Sequence, residues 1–148
     1  MKKEFHITDE SQLCAVAEYL LMTADRAQKE SAVVVALHGD LGVGKTTLVQ
    51  LIAQLLNITA PVTSPTFTIM NTYELDHAVW KQLVHIDAYR IESEEEVRPL
   101  HFDELFQEFG TLVCVEWPEN IRSIIPGSAI QVEIEIGKEE SRTIVIES

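Results

Sequence analysis

The chain has no run of 18 or more apolar residues, so no membrane-spanning helix is expected. Its opening, MKKEFHITDE, carries two lysines with no apolar stretch behind them, and no secretory leader is expected. Cysteine is scarce. Cys14 and Cys114 stand far apart and form no CxxC pair, so they read as two buried thiols in a reducing cytoplasm. The five histidines show no metal-ligand spacing. Positive charge is scarce too: 11 Lys and Arg stand against 24 Asp and Glu, for a net charge of −13. The bases are scattered, with no local patch, so a nucleic-acid backbone is repelled and direct binding to it is not expected. Docking on a basic protein partner is compatible with this charge. Repeats, low-complexity tracts and long linkers are absent as well.

What remains is the composition of one globular domain with its own core. The chain has 148 residues, 46% hydrophobic and 24% charged, and is read as a single domain over 1–148. Residues 4–7 form a short strand, and 9–28 an amphipathic helix with Leu13, Val16, Ala17, Leu20 and Ala24 on one face, capped by Thr8 or Asp9. AVVVALHG, 32–39, is a buried central strand, and 45–56 the helix after it. TFTIMNTYEL and AVWKQLVHIDAYRI read as two strands paired antiparallel across a turn near Asp76 and His77. EEEVRPLHFDELFQEFG is acidic and helix-prone, with a break at Pro99. TLVCVEW, 111–117, is a further buried strand, and SAIQVEIEIG with SRTIVIES a C-terminal antiparallel hairpin. The alternation predicts an α/β three-layer sandwich around a mixed parallel and antiparallel sheet.

Gly39, Gly44, Lys45 and Thr46 complete G-x-x-x-x-G-K-[ST] between the apolar strand and the amphipathic helix. Gly39, Gly42 and Gly44 let the backbone wrap, so that consecutive N–H groups make an anion nest at a helix N-terminus. The cradle runs through Gly39, Asp40, Leu41, Gly42, Val43, Gly44, Lys45, Thr46 and Thr47. In such loops the lysine reaches the β- and γ-phosphates and the hydroxyl after it ligates Mg²⁺. The N-K-x-D segment of guanine readers is missing, so the nucleotide is read as ATP or ADP.

Hydrolysis also needs a carboxylate at a neighbouring strand end. LVHID stops at Asp87 and LVCVE at Glu116, and spacing does not rank the two. Ser64 and Thr66 flank Pro65 where related loops sense the γ-phosphate; an ordinary Ser-Pro turn fits the same residues. His85 reads as a core or strand-face residue, and Trp117, taken alone, as core.

GDLGVGKTT, SPTFTIMNTYE, HIDAYR and VEWPE, in this order and at these separations, resemble the TsaE (YjeE) family. These are bacterial P-loop ATPases required for N6-threonylcarbamoyladenosine formation on tRNA. The resemblance covers the chain from about residue 5 onward. It implies one P-loop NTPase-like domain that binds ATP or ADP with Mg²⁺. It implies Thr46 and Glu116 as metal ligands, Lys45 on the phosphates and Asp87 as an essential acid. Ser64 to Thr66 would be a switch-like loop, and Trp117 would lie at the site's edge. The adenine would rest against Ile7 to Ser11 and meet the segment near Pro126. The implied partners are a threonylcarbamoyl transferase and its scaffold subunit, with tRNA reached only through them.

Two other readings share the loop. A small-molecule kinase would close an arginine-bearing lid, and 88–110 offers only Arg90 and Arg98 among many acids, a poor phosphate clamp. A nucleotide-gated module without catalysis would not need two strand-end acids. With no arginine finger identified, hydrolysis is expected to be slow until a partner completes the site.

Overall fold

In a computed structural model, which describes residues 1–28, 30–65 and 68–148, seven strands form one sheet in the order β1-β7-β6-β2-β5-β4-β3. They are β1 (Lys2–Ile7), β2 (Val33–His38), β3 (Met70–Glu74), β4 (Gln82–Asp87), β5 (Thr111–Glu116), β6 (Ile130–Ile136) and β7 (Arg142–Glu147). β2 pairs parallel with β5 and β6, and β5 parallel with β4. β3 runs antiparallel to β4, and β7 antiparallel to both β6 and β1. Five strands therefore point one way and two the other. The predicted mixed sheet is present.

Burial follows position in the sheet. Every residue of β5 is buried and so is nearly all of β2, because apolar layers cover both faces. One layer is α1 (Leu13–Ala27) and α2 (Lys45–Leu55), which lie against each other. α1 buries Leu13, Val16, Ala17, Leu20 and Ala24, as its periodicity requires. Asp9 starts that region: its Oδ1 accepts from the Ser11 N–H, and Gln12 closes a capping box. The opposite layer is short. Val97, Phe102 and Phe106, from a 3-10 turn over Glu94–Leu100 and from α3 (Phe102–Leu105) and its end, pack on Val84, Ile86, Val113 and Val115.

Three expectations change. The acidic segment breaks at His101, which takes φ 54°, while Pro99 stays inside the 3-10 turn, where its missing N–H is tolerated. The second strand of the 66–91 region is only Gln82–Asp87, because Trp80 turns inward and its indole N–H bonds Asp25 Oδ1 at 2.8 Å. Cys114 is buried as read, and burial pushes its thiol up to about 12, but Cys14 is exposed on the outer face of α1. Among the described residues no helix is long and apolar enough to cross a membrane.

Candidate active site

Strand direction assembles the site. β2, β4 and β5 end at one edge of the sheet, so the loop after His38, Asp87 and Glu116 meet there. The loop is held open by glycines with φ of 147° at Gly39, 77° at Gly42 and 112° at Gly44. At Gly39 only a hydrogen fits: a Cβ would lie 2.8 Å from the Ile134 carbonyl oxygen. Gly44 precedes α2 without a side-chain cap, so the first amides of that helix are left for an anion.

Lys45 opens α2 and is buried. Its ammonium donates to the Gly39 carbonyl and stands 3.7 Å from the centre of the Trp117 ring. Burial holds its pKa below the ordinary 10.5, and the carboxylates of Glu116, Glu119, Asp87 and Asp40 partly offset this. Thr46 Oγ1 donates to Glu116 Oε2 at 2.8 Å, and the same oxygen lies 2.6 Å from His85 Nε2. Asp87 Oδ1 accepts the Tyr89 N–H at 3.0 Å, which fixes one side of that carboxylate. Trp117 adopts φ 57°, ψ 50° just past β5 and meets Tyr89 at 5.1 Å between ring centres. That turn sets the half-buried indole at the edge of the core and over the lysine.

Lys45, Thr46, Thr47, Ser64, Asp87, Glu116 and Trp117 line one cleft of about 340 Å³, with Leu41, Gly42 and Gly44. Gly39, Asp40 and Val43 lie on the other flank of the loop, in a hollow shared with His38 and Glu119. Ser64 thus reaches the cleft, while Thr66 lies outside the described residues. The Thr46 hydroxyl and the Glu116 and Asp87 carboxylates are hard oxygen donors beside the glycine loop. That donor set fits Mg²⁺, which takes one or two protein oxygens and leaves the rest to phosphate and water.

Arg142 also lines the cleft, and sequence reading missed it. It opens β7 opposite Ile7 and Ile136, the last residues of β1 and β6. Because β7 runs against them, its first residue arrives at the edge that carries the glycine loop. Its guanidinium passes Gly44, 3.1 Å from where a Cβ would stand, and its Nε is buried without a hydrogen-bond partner among the described residues. The hairpin pattern of the last 20 residues was the signal that could have found it. Arg142 and Glu10 also line an adjoining hollow of about 270 Å³ with Ile7, Thr8, Asp9 and Glu140. The residues Ile7 to Glu10 face this hollow; Ser11 is exposed in the capping turn. Pro126 lines a different hollow, with His38 and Arg122.

The family model of the threonylcarbamoyl adenosine biosynthesis protein TsaE matches residues 7–144. Two relatives named tRNA threonylcarbamoyladenosine biosynthesis protein TsaE are similar over most of the chain. The one from Nostoc is 40% identical over 112 residues, 74% of this chain and 66% of its own length. The one from Bacillus subtilis is 42% identical over 112 residues, 75% of this chain and 66% of its own length. The crystal structure of Bacillus subtilis YdiB superposes with a TM-score of 0.75 at 29% identity, covering 99% of this chain and 84% of that one.

Proposed function

The chain belongs to the TsaE family, and on that premise we propose that it is a single-domain accessory ATPase over 1–148. It binds and slowly hydrolyses MgATP to support threonylcarbamoyl transfer to adenosine 37 of tRNA by a partner transferase and its scaffold subunit. The observation that carries this reading is the meeting of Lys45, Thr46, Asp87 and Glu116 in one cleft at the mouth of the glycine loop. The chain's acidity supports contact with tRNA through partners rather than directly.

In this reading the loop amides and the start of α2 take the phosphates. Lys45 exchanges the Gly39 carbonyl for a phosphate oxygen and leaves the Trp117 ring. Thr46 and Glu116 hold Mg²⁺, which when bound neutralises charge developing on the phosphates. Asp87, held at Oδ1 by the Tyr89 amide, orients the attacking water. The hollow at Ile7 to Glu10 receives the base, and Arg142 bridges it to the phosphates.

The kinase reading loses its lid. Residues Val97, Phe102 and Phe106 of that segment are buried on the far face of the sheet, and Arg98 pairs with Glu95 at the surface.

The test is phosphate release from MgATP by the chain alone and with the purified transferase complex and tRNA. Slow release that rises sharply with the complex is expected. Release that stays the same while ATP binding is intact would refute partner activation. For Arg142→Ala, loss of a charge-assisted contact is expected to raise the Kd of ATP and of ADP roughly tenfold or more in calorimetry. Unchanged affinities would remove Arg142 from the nucleotide site.

A further inference from the structure

Among the described residues, His85 is the one histidine the fold buries completely, at 0% exposure. Its neighbours along β4, Leu83, Val84 and Ile86, are apolar and buried. Its Nε2 lies 2.6 Å from Glu116 Oε2, while its Nδ1 is buried with no hydrogen-bond partner among the described residues. A histidine kept only for packing would be replaced by an apolar side chain at no such penalty. A 2.6 Å approach of Nε2 to a carboxylate oxygen needs a proton between the two atoms, and the imidazole supplies it as an Nε2–H donor.

Register explains the contact. His85 stands opposite Cys114, and Asp87 opposite Glu116, so His85 and Glu116 are diagonal neighbours on one face of the sheet. Cys114, opposite His85 and two residues before Glu116 on β5, has its thiol held protonated by burial, so it brings no charge to the pair. Glu116 Oε2 is then shared by two donors, Thr46 Oγ1 from α2 and His85 Nε2 from β4. The two are not equivalent. The Thr46 hydroxyl lines the cleft, where its oxygen lone pairs are open to a cation. The imidazole is packed and does not turn.

We propose that His85 is a positioning residue for Glu116: its Nε2–H fixes the carboxylate oxygen so that Glu116 faces the cleft when Thr46 is drawn to the metal. This rests on the MgATP reading above. Its consequence falls on Mg²⁺ and not on the nucleotide itself, since His85 does not line the cleft.

The test is calorimetry of ADP binding in EDTA and across a MgCl₂ titration, with His85→Gln and His85→Met. The two replacements have nearly the same shape, and only Gln keeps a donor near the Nε2 position. His85→Met is expected to raise the half-saturating Mg²⁺ concentration roughly tenfold or more, with the ADP affinity in EDTA unchanged. His85→Gln is expected to stay near wild type. In a Glu116→Gln background His85→Met is expected to add nothing, because the acceptor charge is gone. Equal half-points for Met, Gln and wild type would overturn the proposal, as would equal losses for Met and Gln. If His85→Met does not fold, His85→Asn takes its place; its shorter donor must raise the Mg²⁺ half-point above that of His85→Gln, or the proposal fails. A wild-type chain whose ADP binding ignores Mg²⁺ would overturn the MgATP reading itself. A Mg²⁺-dependent wild type with an equally dependent Met variant overturns only the role of His85.

Discussion

Replacing Lys45 with alanine is expected to cut phosphate release from ATP about a hundredfold or more, the usual effect of removing one charge-directed donor from a phosphoryl-transfer site. The same change is expected to leave melting at neutral pH unchanged or slightly raised. These opposite outcomes share one cause. Lys45 is buried beside an apolar ring, and desolvation is the largest influence on its pKa, which lies below 10.5 in the folded chain. A lysine whose folded pKa is depressed resists the charge it carries. Its burial is therefore a stability cost that is fully present below the depressed pKa. That cost fades as pH rises through the depressed value towards 10.5. Any gain in melting temperature from Lys45→Ala should shrink over that alkaline window. Thermal melts between neutral pH and pH 10, beside phosphate-release assays, separate the two effects. A variant that hydrolyses ATP at the wild-type rate would end the proposed role of Lys45. A variant that melts far below wild type would show that the ammonium is a structural contact to Gly39.

The parts of the site that were legible in the sequence are those written locally. An apolar run ending on a glycine loop, or on an acid, marks a strand end without knowledge of its neighbours. This is why the loop after His38, Asp87 and Glu116 could be named from the sequence. What the sequence did not carry was lateral order. Glu116 lies on the strand next to β2, and Asp87 one strand further out, so it is Glu116 that meets the Thr46 hydroxyl at 2.8 Å. Spacing alone could not separate them, because adjacency in a sheet is a tertiary fact. Arg142 was missed for a related reason. It stands at the start of a strand, and only the reversed direction of β7 brings it to the edge of the glycine loop. The contact of His85 with Glu116 depends on cross-strand register, which periodicity does not record. The break at His101 is a left-handed residue without glycine, a conformation that composition does not announce.

Gly39→Ala is expected to destabilise the chain by about 3 kcal/mol, and Gly42→Ala by about 1 kcal/mol, although both glycines sit in the same loop with positive φ. Read from the sequence, both are turn formers that let the loop wrap. The fold separates them. A Cβ on Gly42 meets nothing within 4 Å, so only backbone strain is added. A Cβ on Gly39 lies 2.8 Å from both the Ile134 carbonyl oxygen and Val43 Cγ2. The carbonyl belongs to β6, which pairs with β2 and β7 and cannot retreat without breaking register. The loop must move instead, taking its amides off the phosphate positions. Gly39→Ala should therefore lower the melting temperature by roughly 10 °C, at about 2–4 °C per kcal/mol for a domain of this size, and weaken ATP binding with it. Gly42→Ala should melt only slightly earlier. Denaturant unfolding of both variants gives the difference directly. Equal losses would mean that backbone strain alone decides, and that the approach of β6 to the loop does not fix where the phosphates are held.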